Sequence, residues 1–249
     1  MPTFHREQQR LFYREQGTGS PLLILPGNTA SSACHDGELA HFGQRYHTAA
    51  MDFRGTGRSD RAAVWPSDWF EVAAHDSSAL VAHLGGGPAI LVGCSGGAIV
   101  ALLAAILHPE RVRAVIVDST VERFQADAME QVLAERSRRT ADQVAFWSHA
   151  HGPDWEEVVD ADTDMLRRYA RDHPDHFGGR LPQIACPVLL TASLADPLLP
   201  DAGAQMVAMA SRIRDCRVFL SRQGGHPLMW SRAEQFRGIA DLFLHTIDG

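Results

Sequence analysis

The sequence predicts an α/β protein whose central, mostly parallel sheet is covered by helices on both faces. Two observations predict it: short apolar runs recur along the 249 residues, and helical patterns alternate with them, as in open parallel sheets. The predicted strands, each bounded by Gly, Pro, Asp or Asn, cover residues 22–25, 48–51, 89–92, 114–117, 188–191 and 218–220. Such a sheet gathers functional side chains at the carboxyl ends of its strands.

Two segments of the sequence have the apolar spacing of amphipathic helices. Apolar side chains recur at helical spacing over 70–84 and again over 236–247, which predicts two helices that pack one face on the sheet. Before the second pattern, Ser231 and Glu234 have the spacing of a capping box. We therefore expect the last helix to begin at Ser231.

The alternation of strand and helix stops between residues 117 and 188. Residues 121–180 have helical patterning instead, which predicts a helical cap inserted into a core made of 1–120 and 181–249. Aromatic side chains of this insertion, Phe146 and Trp147 among them, are candidates for an apolar ceiling over a site. They could equally serve to pack the cap helices together.

The stretch 93–97, Gly-Cys-Ser-Gly-Gly, joins the strand-like run 89–92 to a helix-like run, 98–107. A serine on such a sharp strand-to-helix turn has a strained backbone and an exposed hydroxyl, and small neighbours leave room for the turn. Ser95 is therefore the candidate nucleophile. Without these glycines, the uncharged residues 89–107 would be long enough for a membrane-spanning helix.

Composition excludes several classes of function. The net charge of −7 and pI of about 6.0 provide no basic field for nucleic acid or an anionic membrane. All 23 basic residues are arginine, so no lysine can form a Schiff base or bind phosphate in a P-loop. The polar start, 1–10, resembles no signal peptide, and the four cysteines match no metal or redox spacing, which predicts a cytoplasmic protein with buried free thiols.

A serine nucleophile needs a histidine to take its proton and a carboxylate to orient that histidine. Of the 13 histidines, His226 has the best context, because two glycines precede it on a loop between the last strand and the last helix. Asp196 follows the strand 188–191 and is the first choice for the carboxylate. Asp118, which ends the strand 114–117, also fits the chain order Ser, Asp, His and stays open as an alternative.

An ester carbonyl attacked by a serine also needs donors for its developing negative charge. The backbone N–H of Gly96, at the start of the helix after the serine, is one candidate. The second is the N–H of Asn28, because a Pro-Gly turn follows directly after the strand 22–25. An ordinary Pro-Gly turn would explain the same residues without a catalytic role.

Taken together, these motifs resemble the α/β-hydrolase superfamily over nearly the whole chain. The residues that carry the resemblance are, in order, Pro26-Gly27-Asn28, Asp52-Phe53-Arg54-Gly55-Thr56-Gly57-Arg58-Ser59-Asp60, the turn at 93–97, Asp196 and His226. The resemblance implies an α/β-hydrolase fold, and it implies that the segment 52–60 is a structural turn, so Arg54 and Arg58 are not placed in the site.

Within the superfamily, the short cap and the terminal region look similar to valacyclovir-hydrolase-type esterases. Gly96 stands where those esterases carry an aspartate that binds the substrate amine, so the likeness implies no amine-binding carboxylate at this position. A serine in the turn disfavours the dehalogenases and epoxide hydrolases of the family, which the resemblance associates with an aspartate there.

We therefore predict a hydrolase in which Ser95, His226 and Asp196 cleave a small-molecule ester or lactone through an acyl-enzyme. The alternatives are C–C bond hydrolysis or cofactor-free perhydrolysis on the same residues, or a ligand-binding receptor that keeps the scaffold. No cofactor, nucleic acid or membrane partner is predicted. No metal is predicted either, and His149 and His151 are interpreted as surface residues.

Overall fold

The computed structural model describes residues 2–62, 64–124 and 126–249. Its strands are β1 (Thr3–Arg6), β2 (Gln9–Gln16), β3 (Pro21–Leu25), β4 (His47–Met51), β5 (Ala89–Cys94), β6 (Val112–Asp118), β7 (Val188–Ser193) and β8 (Cys216–Ser221). They form one sheet in the order β1-β2-β4-β3-β5-β6-β7-β8. Neighbouring strands from β4 to β8 are parallel, and β2 pairs antiparallel with both β1 and β4.

All six predicted strands are confirmed, as β3 to β8. The sequence analysis missed β1 and β2, a hairpin at one edge of the sheet. Its eight-residue second strand is charged or polar at both ends and buries only Leu11, Phe12 and Tyr13, so it lacks the continuous apolar run of a central strand. Edge strands of this kind give a weak sequence signal because most of their side chains reach solvent.

The described helices are α1 (Asp36–Phe42), α2 (Trp69–Leu84), α3 (Gly96–Leu107), α4 (Ala126–Arg136), α5 (Ala141–His151), α6 (Trp155–Asp172), α7 (Ala202–Ala210), α8 (Leu228–Ser231) and α9 (Ala233–Asp248). Helices α2, α3 and α7 pack on one face of the sheet, and α1 and α9 pack on the other. Alternate side chains of β3 supply the two cores, with Leu23 in one and Leu22 in the other. The α/β class is therefore confirmed.

The uncharged residues 89–107 form β5 and α3 rather than one long helix. Helix α3 is buried along almost its whole length because it lies between the sheet and α2, which explains why it is apolar on every side. In the described part of the chain, no helix is both long and apolar enough to cross a membrane.

The predicted capping box at Ser231 is wrong. Helix α9 begins at Ala233, and Ser231 is instead the last residue of the short helix α8. Its hydroxyl donates backward to the carbonyl of Pro227 at 3.0 Å, and among the described residues no side chain caps the first turn of α9, whose N-cap residue is Arg232. A capping box does occur at Thr140, where α5 begins.

Helices α4, α5 and α6 all lie between β6 and β7, and residues 126–172 are called the inserted helices below. They share one hydrophobic core with the sheet, to which Met165 and Leu166 contribute. The ring of Tyr169 on α6 packs edge-on against Phe70 on α2, with ring centroids 4.6 Å apart. The division into a core of 1–120 and 181–249 and a cap of 121–180 stays a prediction.

The amino terminus of α3 approaches the sheet so closely that only glycine fits there. A Cβ on Gly97 would lie 2.1 Å from the carbonyl oxygen of Leu25 and 2.4 Å from that of Pro26, and a Cβ on Gly93 would lie 2.3 Å from the carbonyl oxygen of Gly97. These obstacles are backbone atoms, which cannot rotate aside. The turn between β5 and α3 thus depends on both glycines.

We expect Gly97→Ala to lower the free energy of unfolding by about 2 kcal/mol or more, because the added methyl group must push α3 away from β3. The matched control is Gly238→Ala on the exposed side of α9, where a Cβ would meet nothing within 4 Å. That change should raise stability by roughly 0.5–1 kcal/mol. Denaturant unfolding of both variants measures the difference, and equal stability of the two would contradict the packing argument.

Candidate active site

Ser95 occupies the turn between β5 and α3 with a backbone φ of 51° and ψ of −121°. This is a strained conformation for a residue with a side chain. The backbone N–H of Ser95 donates to the carbonyl of Asp118 at 2.8 Å, which fastens the turn to the end of β6. The strain predicted from the Gly-Cys-Ser-Gly-Gly pattern is therefore present in the structure.

His226 lies on the loop between β8 and α8 and reaches across the carboxyl end of the sheet to Ser95. Its Nε2 is 2.9 Å from the Ser95 Oγ, and its Nδ1 is 2.8 Å from an oxygen of Asp196. Because an ionised carboxylate only accepts hydrogen bonds, the proton is assigned to Nδ1, which leaves Nε2 to accept from the serine hydroxyl. The three predicted side chains are thus brought into one chain of hydrogen bonds.

Asp196 lies on the loop after β7, and its carboxyl group is completely buried. The oxygen that does not face His226 accepts from the backbone N–H groups of Leu198 and Leu199, at 2.9 and 3.2 Å. These bonds fix the carboxylate in place and compensate for the loss of water around it. Asp196 is therefore built to orient the imidazole of His226.

Asp118, the alternative carboxylate, is engaged elsewhere. One of its oxygens accepts from the Thr191 hydroxyl at 2.7 Å, and the other accepts from the backbone N–H of Met229 at 2.8 Å. The neighbouring Ser119 hydroxyl accepts from the N–H of Leu228. Asp118 and Ser119 therefore hold the start of α8, just after the His226 loop, and neither makes a hydrogen bond to the imidazole.

The two proposed oxyanion donors lie on the loop after β3 and at the first residue of α3. In the described part of the chain, the backbone N–H groups of Asn28 and Gly96 donate to no protein acceptor, so both remain available to a ligand. The Asn28 side chain covers Gly96, because a Cβ built there would lie 2.0 Å from its Oδ1. A side chain at position 96 would have to displace the Asn28 amide from this position.

The inserted helices hold the loop after β3 through several hydrogen bonds. Asp162 on α6 accepts from the Asn28 Nδ2 at 2.6 Å, the carbonyl of Ala150 accepts from the Ser31 hydroxyl at 2.7 Å, and His151 lies 3.0 Å from the carbonyl of Thr29. The insertion therefore positions the same loop that carries the Asn28 N–H.

His151 was predicted to lie on the surface, and this is wrong. It is buried between the loop after β3 and the 52–60 turn, where its Nδ1 accepts from the N–H of Gly57 at 3.0 Å. Burial lowers the pKa of His151 to about 4, so at neutral pH it is the uncharged form whose Nε2–H donates to Thr29. His149 is exposed, as predicted.

Asp162 has a second partner, Arg136 at the end of α4. The Nη1 of Arg136 donates to Asp162 at 2.6 Å, through the carboxylate oxygen that Asn28 does not use. The carboxyl group of Asp162 is 2% exposed, so its charge needs this cationic partner. The sequence analysis missed both residues because a lone aspartate and a lone arginine in an acidic helical segment give no signal before their partners are known.

A cavity of about 460 Å³ opens above the Ser95 hydroxyl. Phe146 and Trp147 line it, where the sequence analysis placed them, together with Trp230 from α8. Trp230 was missed, although its position four residues after His226 on the same loop and helix offered a signal. The cavity is mainly apolar, and among the described residues that line it, Glu135 and Arg136 are the charged ones besides the histidine.

The 52–60 segment is a structural turn, as the family resemblance implies. The carboxylate of Asp52 accepts from the backbone N–H groups of Ser32 and Arg58, both at 2.7 Å. Arg54 donates to both oxygens of the buried Asp76, away from the cavity. This segment therefore supports the sheet edge and the loop after β3.

The four cysteines are free, but only Cys94 is fully buried, and the other three are half-buried. The prediction of buried thiols is therefore wrong for Cys34, Cys186 and Cys216. Within residues 2–62, 64–124 and 126–249, no group of three or more His, Cys, Asp or Glu side chains is arranged to hold a metal ion.

The family profile described as "alpha/beta hydrolase fold" matches residues 20–154. The chain therefore belongs to the α/β-hydrolase superfamily. It is 28% identical to the human serine hydrolase BPHL over 253 aligned residues, which cover 94% of this chain and 83% of that protein.

Two solved structures illustrate the likeness in fold. A carboxylesterase structure from Nitrososphaera gargenis superposes with a TM-score of 0.81, at 16% identity, over 99% of both chains. The enol-lactonase from Burkholderia xenovorans LB400 superposes with a TM-score of 0.77, at 20% identity, over 98% of this chain and all of the other.

The buried carboxyl group of Asp118 makes the stability of the protein depend on pH. Burial raises its pKa from 3.8 to about 6, so between these pH values the folded protein holds a proton that the unfolded chain has released. The contribution of Asp118 to the free energy of unfolding therefore falls as the pH rises through this interval. At higher pH this contribution no longer changes.

We expect the wild-type free energy of unfolding, minus that of Asp118→Asn, to fall by about 2 kcal/mol between pH 4 and pH 6. Denaturant titrations at several pH values measure this difference. Asp164→Asn, which changes an exposed carboxylate, is the control and should show no such slope. A flat or rising difference for Asp118→Asn would refute the prediction.

Proposed function

We propose that this protein is a serine hydrolase that cleaves an ester or lactone of a small molecule through an acyl-enzyme. The observation that carries the proposal is the unbroken hydrogen-bond chain from Ser95 through His226 to Asp196 at the floor of a mainly apolar cavity. The human serine hydrolase relative and the carboxylesterase and lactonase neighbours support the same class of reaction.

In the first half-reaction the Ser95 Oγ attacks the substrate carbonyl carbon while its proton moves to the His226 Nε2. Asp196 keeps the imidazole in the tautomer that can accept this proton and stabilises the imidazolium that forms. The carbonyl oxygen becomes an oxyanion and accepts from the N–H groups of Asn28 and Gly96. The imidazolium then protonates the leaving alcohol, the C–O bond breaks, and the acyl group stays on Ser95.

In the second half-reaction a water molecule gives its proton to the His226 Nε2 and attacks the acyl-enzyme carbonyl. The same two N–H groups bind the second oxyanion. The bond to the Ser95 Oγ breaks, the serine regains its proton from the imidazolium, and the carboxylic acid leaves. Every proton that His226 takes in one step is returned in the next, so no cofactor is required by this scheme.

We expect the wild type to turn over p-nitrophenyl esters or small lactones, with kcat/KM passing through a maximum as the acyl chain lengthens to fill the cavity. Ser95→Ala should lose roughly 10³-fold or more of kcat/KM because no nucleophile remains. Ser211→Ala, an exposed serine at the end of α7, is the control. Mass spectrometry after treatment with a fluorophosphonate should find the adduct on Ser95.

Kinetic measurements distinguish Asp196 from Asp118 as the carboxylate that orients His226. Asp196→Asn should lower kcat by roughly 10⁴-fold, as for the corresponding change in serine proteases, because an amide favours the wrong imidazole tautomer. Asp118→Asn should change kcat by less than about tenfold, since Asp118 holds the start of α8 and makes no bond to His226. The reverse order would assign the catalytic role to Asp118.

The rival functions give different outcomes in the same assays. A receptor on this scaffold binds a ligand but shows no more than a single turnover. A C–C hydrolase leaves esters intact and cleaves a diketone substrate. A perhydrolase forms peracid from acetate and hydrogen peroxide. Only ester or lactone turnover that depends on Ser95 supports the proposal.

A further inference from the structure

The wall of the cavity contains one arginine among its described lining residues, Arg136 on α4. Its side chain is 14% exposed, so this permanent charge is largely withdrawn from water. Around it the lining is mainly apolar, with Phe146, Trp147 and Leu166 among its members. A charge in such surroundings interacts more strongly with a ligand than the same charge at an exposed surface.

Within the described residues, one nitrogen of the Arg136 guanidinium has a hydrogen-bond partner. The Nη1 donates to Asp162, whereas the Nε and Nη2 have no hydrogen-bond partner in the described part of the chain and are not sealed from solvent. Arginine presents its donors as a planar fork, and one edge of this fork matches two oxygens of a carboxylate. One edge of Arg136 is thus held by the protein, and the other is open.

The neighbouring carboxylates Asp162 and Glu135 do not bind the Nε and Nη2 of Arg136. Both oxygens of Asp162 are already used, one by Arg136 and the other by Asn28. Glu135, which also lines the cavity, forms an ion pair with Arg138 at 3.0 Å, where its carboxyl group is 46% exposed. A second anion supplied by a ligand would therefore complete the hydrogen bonds of Arg136.

We propose that the cavity selects substrates that carry a carboxylate in addition to the ester or lactone bond, and that the Nε and Nη2 of Arg136 bind this carboxylate. The inference rests on the proposed function and specifies its substrate class. A carboxylate fits better than a phosphate, because a single negative charge loses less hydration energy in a mainly apolar cavity than a double one. Arg136 is then the residue that determines specificity, whereas Ser95, His226 and Asp196 break the ester bond.

The test compares pairs of esters of similar size in which one member carries a carboxylate. On the acyl side, the pair is p-nitrophenyl hydrogen adipate and p-nitrophenyl hexanoate. On the alcohol side, it is para-acetoxybenzoate and its methyl ester. We expect the anionic member of at least one pair to have a kcat/KM at least tenfold higher in the wild type, which is the size of effect typical of a charge-assisted bidentate contact. Equal rates or a preference for the neutral member in both pairs would overturn the proposal.

Three variants locate the selectivity. Arg136→Lys keeps the charge next to Asp162 but lacks the second edge of the fork. The double variant Arg136→Gln with Asp162→Asn removes both charges together, so that no buried carboxylate is left unpaired and the chain can fold. Arg167→Gln removes one positive charge from the exposed face of α6 and is the matched control for long-range electrostatics.

We expect the double variant to lose the preference for the anionic ester, Arg136→Lys to lose most of it, and Arg167→Gln to keep it. A parallel loss of neutral and anionic ester hydrolysis in both Arg136 variants would show that Arg136 acts only through Asp162 and Asn28, which would overturn the proposal. Retention of the preference in the double variant would overturn it as well.

A binding measurement separates this proposal from the proposed function. Hexanoate and hexanamide are titrated into Ser95→Ala, with the fluorescence of the tryptophans that line the cavity, Trp147 and Trp230, as the readout. We expect hexanoate to bind at least tenfold more tightly, and we expect this difference to vanish when the Arg136→Gln and Asp162→Asn changes are added. Carboxylate selectivity without ester turnover in the wild type would contradict the hydrolase and leave the anion site supported. Ester turnover without carboxylate selectivity would support the hydrolase and contradict the anion site.

Discussion

The structure depends on the close approach of α3 to the carboxyl ends of β3 and β5. Because Gly97 lies against the carbonyl oxygens of Leu25 and Pro26, the amino terminus of the helix reaches the loop that follows β3. This loop carries Asn28, and the helix begins with Gly96, the two residues whose N–H groups are the proposed oxyanion donors. In the proposed mechanism, a wider turn would move Ser95 away from the N–H of Asn28, so the close packing of Gly93 and Gly97 is a requirement of that mechanism.

The inserted helices take part in this arrangement from the opposite side. Asp162, His151 and the carbonyl of Ala150 each bind the loop after β3, so the insertion forms the ceiling of the cavity and also determines where Asn28 lies. The loop is held by α3 below and by the inserted helices above. In the proposed mechanism, movement of the insertion would therefore change the position of the Asn28 N–H as well as access to the cavity.

Sequence patterns predicted the six parallel strands and the positions of Ser95, His226 and Asp196, because strand ends and glycine turns are local features. The β1–β2 hairpin escaped prediction because its polar edge position weakens the apolar pattern. The helix start at Ser231 was mispredicted because a serine with a glutamate three residues later also fits the end of a preceding short helix. The roles of Asp162 and Arg136 depend on contacts between residues far apart in sequence, which no local pattern records.

The contacts around Gly96 also bear on the charge of the substrate. The Asn28 side chain occupies the space that a carboxylate at position 96 would need, and Asp162 holds it there from above. An amine-binding carboxylate at this position would therefore have to displace the Asn28 amide from Asp162. The same Asp162 positions a guanidinium in the cavity wall. Asp162 therefore holds the uncharged Asn28 amide beside Gly96 and the Arg136 guanidinium in the cavity wall. Both contacts favour an anionic ligand over a cationic one.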